Sequence, residues 1–176
     1  YNVVRKIRDR ITGGKKRVED YYQPADVVIG NAKRFMSANA AQRWFGFVHL
    51  MEPHDPYFER PFTGEGVGRA EMEHPPAALE AAIREAYREE IGWMDTELGK
   101  LFAWMKAEGL YDNTTIVITS DHGEEFLEHG GWWHGTTLYD EQLHVPLIVK
   151  LPDSKWAGTR VPWQVRQLDA PATLAV

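Results

Sequence analysis

The chain has 176 residues, which is enough for one domain with a substantial hydrophobic core. Hydrophobic residues make up 43% of the sequence and charged residues 26%, a composition typical of globular proteins. The net charge of -6 argues against general nucleic-acid binding, the lack of cysteine excludes disulfides and thiolate sites, and no apolar run reaches the about 18 residues of a membrane-spanning helix.

Basic residues are concentrated at the start of the chain, around Gly13 and Gly14. Such a run is typical of a solvated linker or a surface helix, so residues 1–23 are interpreted in that way and are given no function. The sequence starts with neither an initiator methionine nor the apolar core of a signal peptide. It is therefore interpreted as a segment of a longer protein, and its cellular compartment is left open.

Two elements are predicted between the basic segment and residue 51. Apolar residues at helical spacing follow Pro24 and predict a covering helix within residues 24–42. The nearly continuous apolar run that follows predicts a buried strand at residues 44–50. The strand ends in a loop where Pro53 and Pro56 stiffen the backbone around His54. Without further information, His54 could simply cap this turn.

The rest of the chain predicts a loop, a long helix, two strands and a short helix. Residues 58–78 contain several prolines and glycines and predict an irregular loop that selects substrates by size. Apolar residues recur three and four positions apart from Ala77 to Glu108, which predicts an amphipathic helix stopped by Gly109. Strands are predicted at residues 114–119 and 145–150, and a short helix near residues 169–174. The fold class is therefore α/β, with a mostly parallel sheet sandwiched by helices.

The segment after the strand at residues 114–119 carries the main candidate site residues. Ligands of α/β proteins bind beyond the carboxyl ends of strands, and Asp121 and His122 lie at such an end. A carboxylate oxygen and an imidazole nitrogen suit a divalent cation, and two further histidines, His129 and His134, follow beside glycines. The spacing alone leaves two interpretations open: a metal site, or a turn residue beside a surface histidine.

Several motifs follow one another along the chain: Glu52-Pro53-His54-Asp55-Pro56, Tyr111-Asp112-Asn113-Thr114-Thr115, Ser120-Asp121-His122-Gly123-Glu124, Glu128-His129-Gly130, His134-Gly135, Leu138-Tyr139-Asp140-Glu141, Val145-Pro146-Leu147-Ile148-Val149 and Gln167-Leu168-Asp169-Ala170-Pro171-Ala172-Thr173-Leu174. In this order they resemble the carboxyl-terminal half of the sulfatase catalytic domain, which belongs to the alkaline phosphatase superfamily. The resemblance covers most of the chain from about Pro24 onward, so residues 24–176 are expected to form a partial sulfatase-type domain that lacks its amino-terminal half.

The resemblance implies a role for each matched polar residue. Asp121 and His122 would be metal ligands, and His54 would contact the sulfuryl or phosphoryl oxygens of the substrate. His134 would bind the substrate and donate a proton to the leaving-group oxygen, which makes it the catalytic candidate. His129 is a further candidate for substrate binding. The implied cofactor is a divalent metal ion, with calcium as the first choice and magnesium, manganese or zinc as alternatives.

The implied function of the intact protein is metal-dependent hydrolysis of sulfate esters, with a small anionic ester or a sulfated glycan as substrate. The family's Cys/Ser-x-Pro-x-Arg nucleophile motif is absent from this sequence, and Asp121 and His122 are only two metal ligands. The 176-residue chain alone is therefore predicted to bind metal weakly and to be inactive. Hydrolysis of phosphate or phosphonate esters, or phosphoryl transfer, is the alternative, and a non-catalytic binding protein is the second alternative. The oligomeric state is left open.

Overall fold

The computed structural model describes residues 22–60, 62–63 and 65–174. The predicted basic segment at residues 1–23 therefore lies almost entirely outside the described residues. The helices and strands follow one another as α1 (Ala25–Asn39), β1 (Tyr57–Phe58), β2 (Gly66–Val67), α2 (Glu80–Ala107), β3 (Ile116–Thr119), β4 (Glu125–Phe126), β5 (Trp132–Trp133), α3 (Asp140–Leu143), β6 (Leu147–Lys150) and α4 (Asp169–Leu174).

The three predicted helices are confirmed. Helix α1 begins directly after Pro24, as its position predicts. Helix α2 follows a 3-10 turn at Ala77–Leu79 and is followed by Gly109, whose φ of 69° lies in the left-handed region that favours glycine. None of the helices in the described part of the chain is both long and apolar enough to cross a membrane.

Helices α1 and α2 pack against each other and form the first hydrophobic core. Ala25, Ile29 and Met36 of α1 are buried there against Leu101 and Met105 of α2. These residues recur at the helical spacing that the sequence shows, so each helix buries one face. The core fixes the two helices against each other, and Ile116 of β3 packs against it.

Each of the three ladders within the described residues joins two antiparallel strands. Strand β3 pairs with β6, with Ile116 opposite Lys150 and Thr119 opposite Leu147, while β1 pairs with β2 and β4 with β5. The α/β class is confirmed, but these ladders do not show the mostly parallel pairing that was predicted. Parallel strands need a long crossover, usually a helix. The chain between β3 and β6 forms β4, β5 and the four-residue helix α3 rather than a crossover helix, and β6 runs antiparallel to β3.

The predicted strand at residues 44–50 does not form. Residues 43–50 have no regular secondary structure, and Phe45 and Phe47 are 74% and 82% exposed. A strand requires a neighbour whose backbone groups pair with its own. No described segment provides that neighbour, so the apolar run at residues 44–50 does not form a strand.

A second, largely aromatic core packs β1, β4 and β5 against α2. Its buried members are Tyr57, Ile83, Phe126, Trp132 and Trp133. The Trp133 indole N–H donates a hydrogen bond to the carbonyl oxygen of Glu73, in the loop between β2 and α2, at 2.9 Å. This core fixes the short strands β1, β4 and β5, whose ends carry polar side chains.

A buried group of charges connects the helices to β1. The Arg60 guanidinium pairs with Glu52 at 3.3 Å and with Glu90 of α2. The Glu52 carboxylate also accepts a hydrogen bond from the Ala25 N–H at the start of α1, at 2.8 Å. The Glu90 carboxylate accepts one from the Phe58 N–H of β1, at 2.6 Å. Each carboxylate therefore joins a backbone segment to the same guanidinium.

Candidate active site

Three histidines from separate loops meet at one point in the structure. His54 precedes β1, His122 follows β3, and His134 follows β5. The ring centroids are 4.1 Å apart for His122 and His134, 4.7 Å for His54 and His134, and 6.1 Å for His54 and His122. One ring nitrogen of each lies within 4.8 Å of the other two. We call these three residues the histidine cluster.

Each ring of the histidine cluster is held through its Nδ1 atom. The Nδ1 atom of His54 lies 2.5 Å from the Asp55 carbonyl oxygen, and that of His122 lies 2.9 Å from the Gly123 carbonyl oxygen. A carbonyl oxygen only accepts hydrogen bonds, so both Nδ1 atoms carry a proton and donate it. The Nε2 atoms of the neutral rings therefore keep a free lone pair. The cluster can offer these lone pairs to a cation or, after protonation, N–H groups to an anion.

The buried carboxylate of Glu124 holds the third ring. Its Oε1 atom lies 2.9 Å from His134 Nδ1, and its Oε2 atom accepts a hydrogen bond from the Tyr57 hydroxyl at 2.7 Å. Burial raises the pKa of Tyr57 well above its usual range, and the neighbouring Glu124 carboxylate raises it further, so the phenol stays a donor. A carboxylate on Nδ1 orients the imidazole and fixes which nitrogen faces the site.

Arg69 connects two loops of the site. Its backbone N–H donates to Asp55 Oδ2 at 2.9 Å, and its Nη2 atom donates to the His134 carbonyl oxygen at 2.7 Å. The loop predicted at residues 58–78 is therefore in contact with the histidine cluster, although it also contains β1 and β2. Its role in selecting substrates by size stays a prediction.

Asp121 lies at the rim of the histidine cluster. Its side chain is 81% exposed, and its Oδ2 atom lies 3.8 Å from His122 Nε2. Its Oδ1 atom accepts a hydrogen bond from the His122 backbone N–H at 3.1 Å. The carboxylate thus adds an oxygen donor beside the nitrogen donors of the cluster.

The structure places His129 in a different environment. Its ring stacks on Tyr139 with 3.6 Å between centroids, and its Nδ1 atom lies 2.6 Å from Glu141 Oε1. It forms a group with Glu125 and Glu141 rather than with His54, His122 and His134. A role for His129 in substrate binding stays a prediction.

Sequence reasoning assigned no role to Glu124, Tyr57, Asp55 or Arg69. Glu124 stands directly after Asp121-His122-Gly123, which is the one local signal that could have drawn attention to it. Tyr57 is 67 residues from its partner Glu124, and Arg69 is 65 residues from its partner His134. No spacing rule connects residues so far apart, so only the fold shows these contacts.

The known proteins that the chain matches include sulfatases. Iduronate 2-sulfatase of Homo sapiens is 35% identical over 77 residues, which are 44% of this chain and 14% of that protein. N-acetylglucosamine-6-O-sulfatase of Bacteroides thetaiotaomicron is 38% identical over 66 residues, or 38% of this chain and 12% of that protein. A multifunctional alkaline phosphatase superfamily protein of Trinickia caryophylli is 37% identical over 71 residues, or 39% of this chain and 13% of that protein. The chain thus matches only a small part of each relative's length.

The comparison with solved structures agrees with the fold. A phosphonate monoester hydrolase from Silicibacter pomeroyi has a TM-score of 0.58 and 24% sequence identity, covering 78% of this chain and 34% of that chain. The sequence model of the Sulfatase family matches residues 5–175. Since that match includes nearly the whole chain, and since sulfatases are among its relatives, the chain belongs to the sulfatase family of the alkaline phosphatase superfamily, a family of hydrolases.

Proposed function

We propose that the whole protein hydrolyses sulfate esters and that this chain supplies the histidine part of its active site. The observation that carries the proposal is the histidine cluster, in which one ring nitrogen of each residue lies within 4.8 Å of the others. Two relatives are an iduronate 2-sulfatase and an N-acetylglucosamine-6-O-sulfatase, which supports sulfate esters as the substrate class. A small anionic ester or a sulfated glycan is the corresponding substrate.

Once protonated, the histidine cluster would provide local positive charge for an anionic ester. The chain as a whole has a net charge of -6, so a sulfuryl group needs nearby cations or donors. A protonated imidazole donates from both ring nitrogens, and charge-assisted hydrogen bonds to an oxyanion are among the strongest in proteins. With Nδ1 already bound to Asp55, His54 has its Nε2–H free for a sulfuryl oxygen.

His134 is the proposed proton donor to the leaving-group oxygen. The Glu124 carboxylate holds the ring through Nδ1, so that in the protonated ring Nε2 carries the proton to be transferred. That proton moves to the ester oxygen as the bond between this oxygen and sulfur breaks. The family's nucleophile motif is not in this sequence, so the residues of this chain account for substrate binding and leaving-group protonation.

Asp121 and His122 are proposed to hold the divalent cation that the sulfatase family implies. The Asp121 oxygen and the His122 nitrogen, 3.8 Å apart, are donor types that suit such an ion. When bound there, the cation would supply positive charge beside the transferred group. Calcium takes about six to eight oxygen ligands, so the prediction of calcium requires oxygen donors in addition to Asp121.

Hydrolysis of phosphate or phosphonate esters is the second candidate, together with phosphoryl transfer. The similarity to a multifunctional alkaline phosphatase superfamily protein supports it. The same Nε2 donors would bind the oxygens of a phosphoryl group, so the histidine cluster alone does not select between the two esters. A non-catalytic binding protein is the remaining alternative.

An assay of the whole protein on nitrophenyl sulfate, nitrophenyl phosphate, phenylphosphonate and a sugar sulfate tests these proposals. With a divalent metal present, we expect sulfate release from the two sulfate esters to be fastest. His134→Gln should lower kcat about 100-fold or more for the sugar sulfate, because an alkoxide leaving group needs its proton. The loss should be smaller for nitrophenyl sulfate, whose leaving group is a stable anion.

The control is His49→Gln, which replaces an exposed histidine outside the histidine cluster and should leave kcat unchanged. Equal losses of His134→Gln on both sulfate esters would exclude His134 as the proton donor. Absence of release from every ester, in a folded and metal-loaded protein, would support the binding protein instead.

A further inference from the structure

The three rings of the histidine cluster also match the ligand set of a divalent transition metal. We propose that the Nε2 atoms of His54, His122 and His134 bind such an ion, with zinc as the best fit, and that a zinc ion bound there excludes the anionic ester. The exclusion rests on the proposed function, which places the ester oxygens at His54 and His134. The metal site itself rests only on the geometry of the three rings.

The hydrogen bonds on Nδ1 prepare the rings for this role. Histidines that bind metals through one nitrogen usually donate from the other to a carbonyl or carboxylate oxygen, which fixes the tautomer and the ring orientation. All three rings meet this condition: His54 on the Asp55 carbonyl, His122 on the Gly123 carbonyl, and His134 on the Glu124 carboxylate. Three free lone pairs are therefore available together on the neutral rings.

The spacing of the rings is close to what zinc requires. Zinc binds imidazole nitrogen at about 2.0–2.1 Å, so tetrahedral ligand nitrogens lie about 3.4 Å apart. One ring nitrogen of each histidine lies within 4.8 Å of one ring nitrogen of the other two, and the side chains of His54 and His122 are 38% and 35% exposed. Small rotations of partly exposed rings would close the site. Asp121 Oδ2, at 3.8 Å from His122 Nε2, can add a fourth ligand.

The nature of the donors favours zinc over the ions that prefer oxygen. Imidazole suits zinc, copper, iron and nickel, whereas calcium and magnesium take oxygen ligands. A lone pair that is bonded to a metal cannot also carry the proton that an ester oxygen would accept. Zinc and the ester therefore compete for the Nε2 atoms of His54 and His134, and zinc would take the place of the cation proposed at Asp121 and His122.

Calorimetry with zinc chloride, and visible absorption with cobalt(II) as a coloured substitute, test the site on the 176-residue chain. We expect one ion per chain and the absorption spectrum of a tetrahedral cobalt site. His54→Gln and His122→Gln should each weaken binding tenfold or more. Glu124→Gln should weaken zinc binding about 10- to 100-fold, because it changes the group that binds Nδ1 of the zinc ligand His134. His49→Gln, which changes an exposed histidine outside the cluster, should have no effect.

A titration of zinc in the presence of sodium sulfate tests the competition. Sulfate should weaken the apparent zinc affinity in proportion to its concentration. If the folded chain binds no zinc, or binds it equally well in His54→Gln and His122→Gln, the metal site is refuted. Zinc binding that sulfate does not affect would refute the exclusion alone. Both results are separate from the ester assay, in which the proposed function fails only when no sulfate is released.

Discussion

At the scale of single residues, the Tyr57 hydroxyl binds the Glu124 carboxylate, which in turn binds His134. It donates to Glu124 Oε2 at 2.7 Å, and both side chains are buried. Tyr57→Phe removes this donor from a buried carboxylate, and hydrogen bonds to charged groups contribute about 1.5–3 kcal/mol. We therefore expect the free energy of unfolding, measured in urea, to fall by about that amount. Tyr139→Phe changes an exposed ring and should leave it nearly unchanged.

Tyr57 also affects the dependence of stability on pH. Burial and the Glu124 carboxylate raise the pKa of Tyr57 in the folded state, whereas in the unfolded chain it ionises near its usual pKa of about 10. Above that pH the folded state binds more protons than the unfolded state, so the contribution of Tyr57 to stability falls as the pH rises. In urea titrations between about pH 9 and 11, the free energy of unfolding should decrease less with rising pH in Tyr57→Phe than in the unchanged chain. Identical slopes in the variant and the unchanged chain would contradict this.

The sequence predicts the residues of the site better than their partners. His54, His122 and His134 could be found because they lie in loops beside prolines or glycines and because the motifs resemble those of sulfatases. The structure brings these three rings together, while their roles stay predictions. It also shows that Glu124 and Arg69 fix His134, through contacts that depend on the packing of distant segments.

At the scale of elements, the close approach of the β3 loop to α3 requires a glycine at position 123. The Gly123 N–H donates to the Gln142 carbonyl oxygen at 2.8 Å, and the Glu124 N–H donates to the Glu141 carbonyl oxygen at 2.9 Å. A Cβ atom at position 123 would overlap the Glu141 carbonyl oxygen. Gly123→Ala must therefore separate the loop from α3 and displace His122.

We expect Gly123→Ala to lower the free energy of unfolding by about 1–3 kcal/mol, as inserted atoms do in tightly packed sites. Gly92→Ala provides the matched control, because a Cβ atom there meets nothing within 4 Å. Since Gly92 lies inside α2, the alanine should stabilise the chain by about 0.5–1 kcal/mol. Urea unfolding of both variants measures the difference. A Gly123→Ala chain as stable as the unchanged one would refute the close approach.

The sequence predicts the helices more accurately than the sheets for a physical reason. A helix satisfies its backbone hydrogen bonds within one segment, so apolar spacing and Gly109 locate α2. A strand depends on a partner elsewhere in the chain. Strands β3 and β6 have each other, but the apolar run at residues 44–50 has no partner among the described residues. Apolar composition predicts where a strand could form, and pairing decides whether it does.

At the scale of the whole molecule, the charges around Arg60 connect both helices to β1. The side chains of Arg60, Glu52 and Glu90 are only 12%, 0% and 1% exposed. Burial raises the pKa of Glu90, while the Arg60 guanidinium opposes this effect. Two buried carboxylates thus depend on one buried cation, and the segments that they bind through the Ala25 and Phe58 N–H groups depend on it as well.

Arg60→Leu should therefore weaken the whole described fold. Removing one partner of a buried ion pair typically costs about 3–5 kcal/mol, and we expect the free energy of unfolding at pH 7 to fall by that amount. Arg88→Ala removes an ion pair whose side chains are 63% and 61% exposed, and it should change the same quantity by about 1 kcal/mol or less. Chemical unfolding followed by circular dichroism measures both variants.

The pH dependence of Arg60→Leu separates this mechanism from a simple loss of packing. Without the guanidinium, the hydrogen bond from the Phe58 N–H still opposes the effect of burial, but the larger opposing contribution is lost, so the pKa of Glu90 in the folded state rises further. The folded state then binds more protons than the unfolded state above the usual glutamate pKa of about 4.3, and stability falls as the pH rises. The loss in free energy of unfolding caused by Arg60→Leu should therefore be smaller at pH 4.5 than at pH 7. Adding Glu90→Gln should recover part of that loss at pH 7. A deficit of the same size at both pH values would instead attribute it to the lost packing of the arginine side chain.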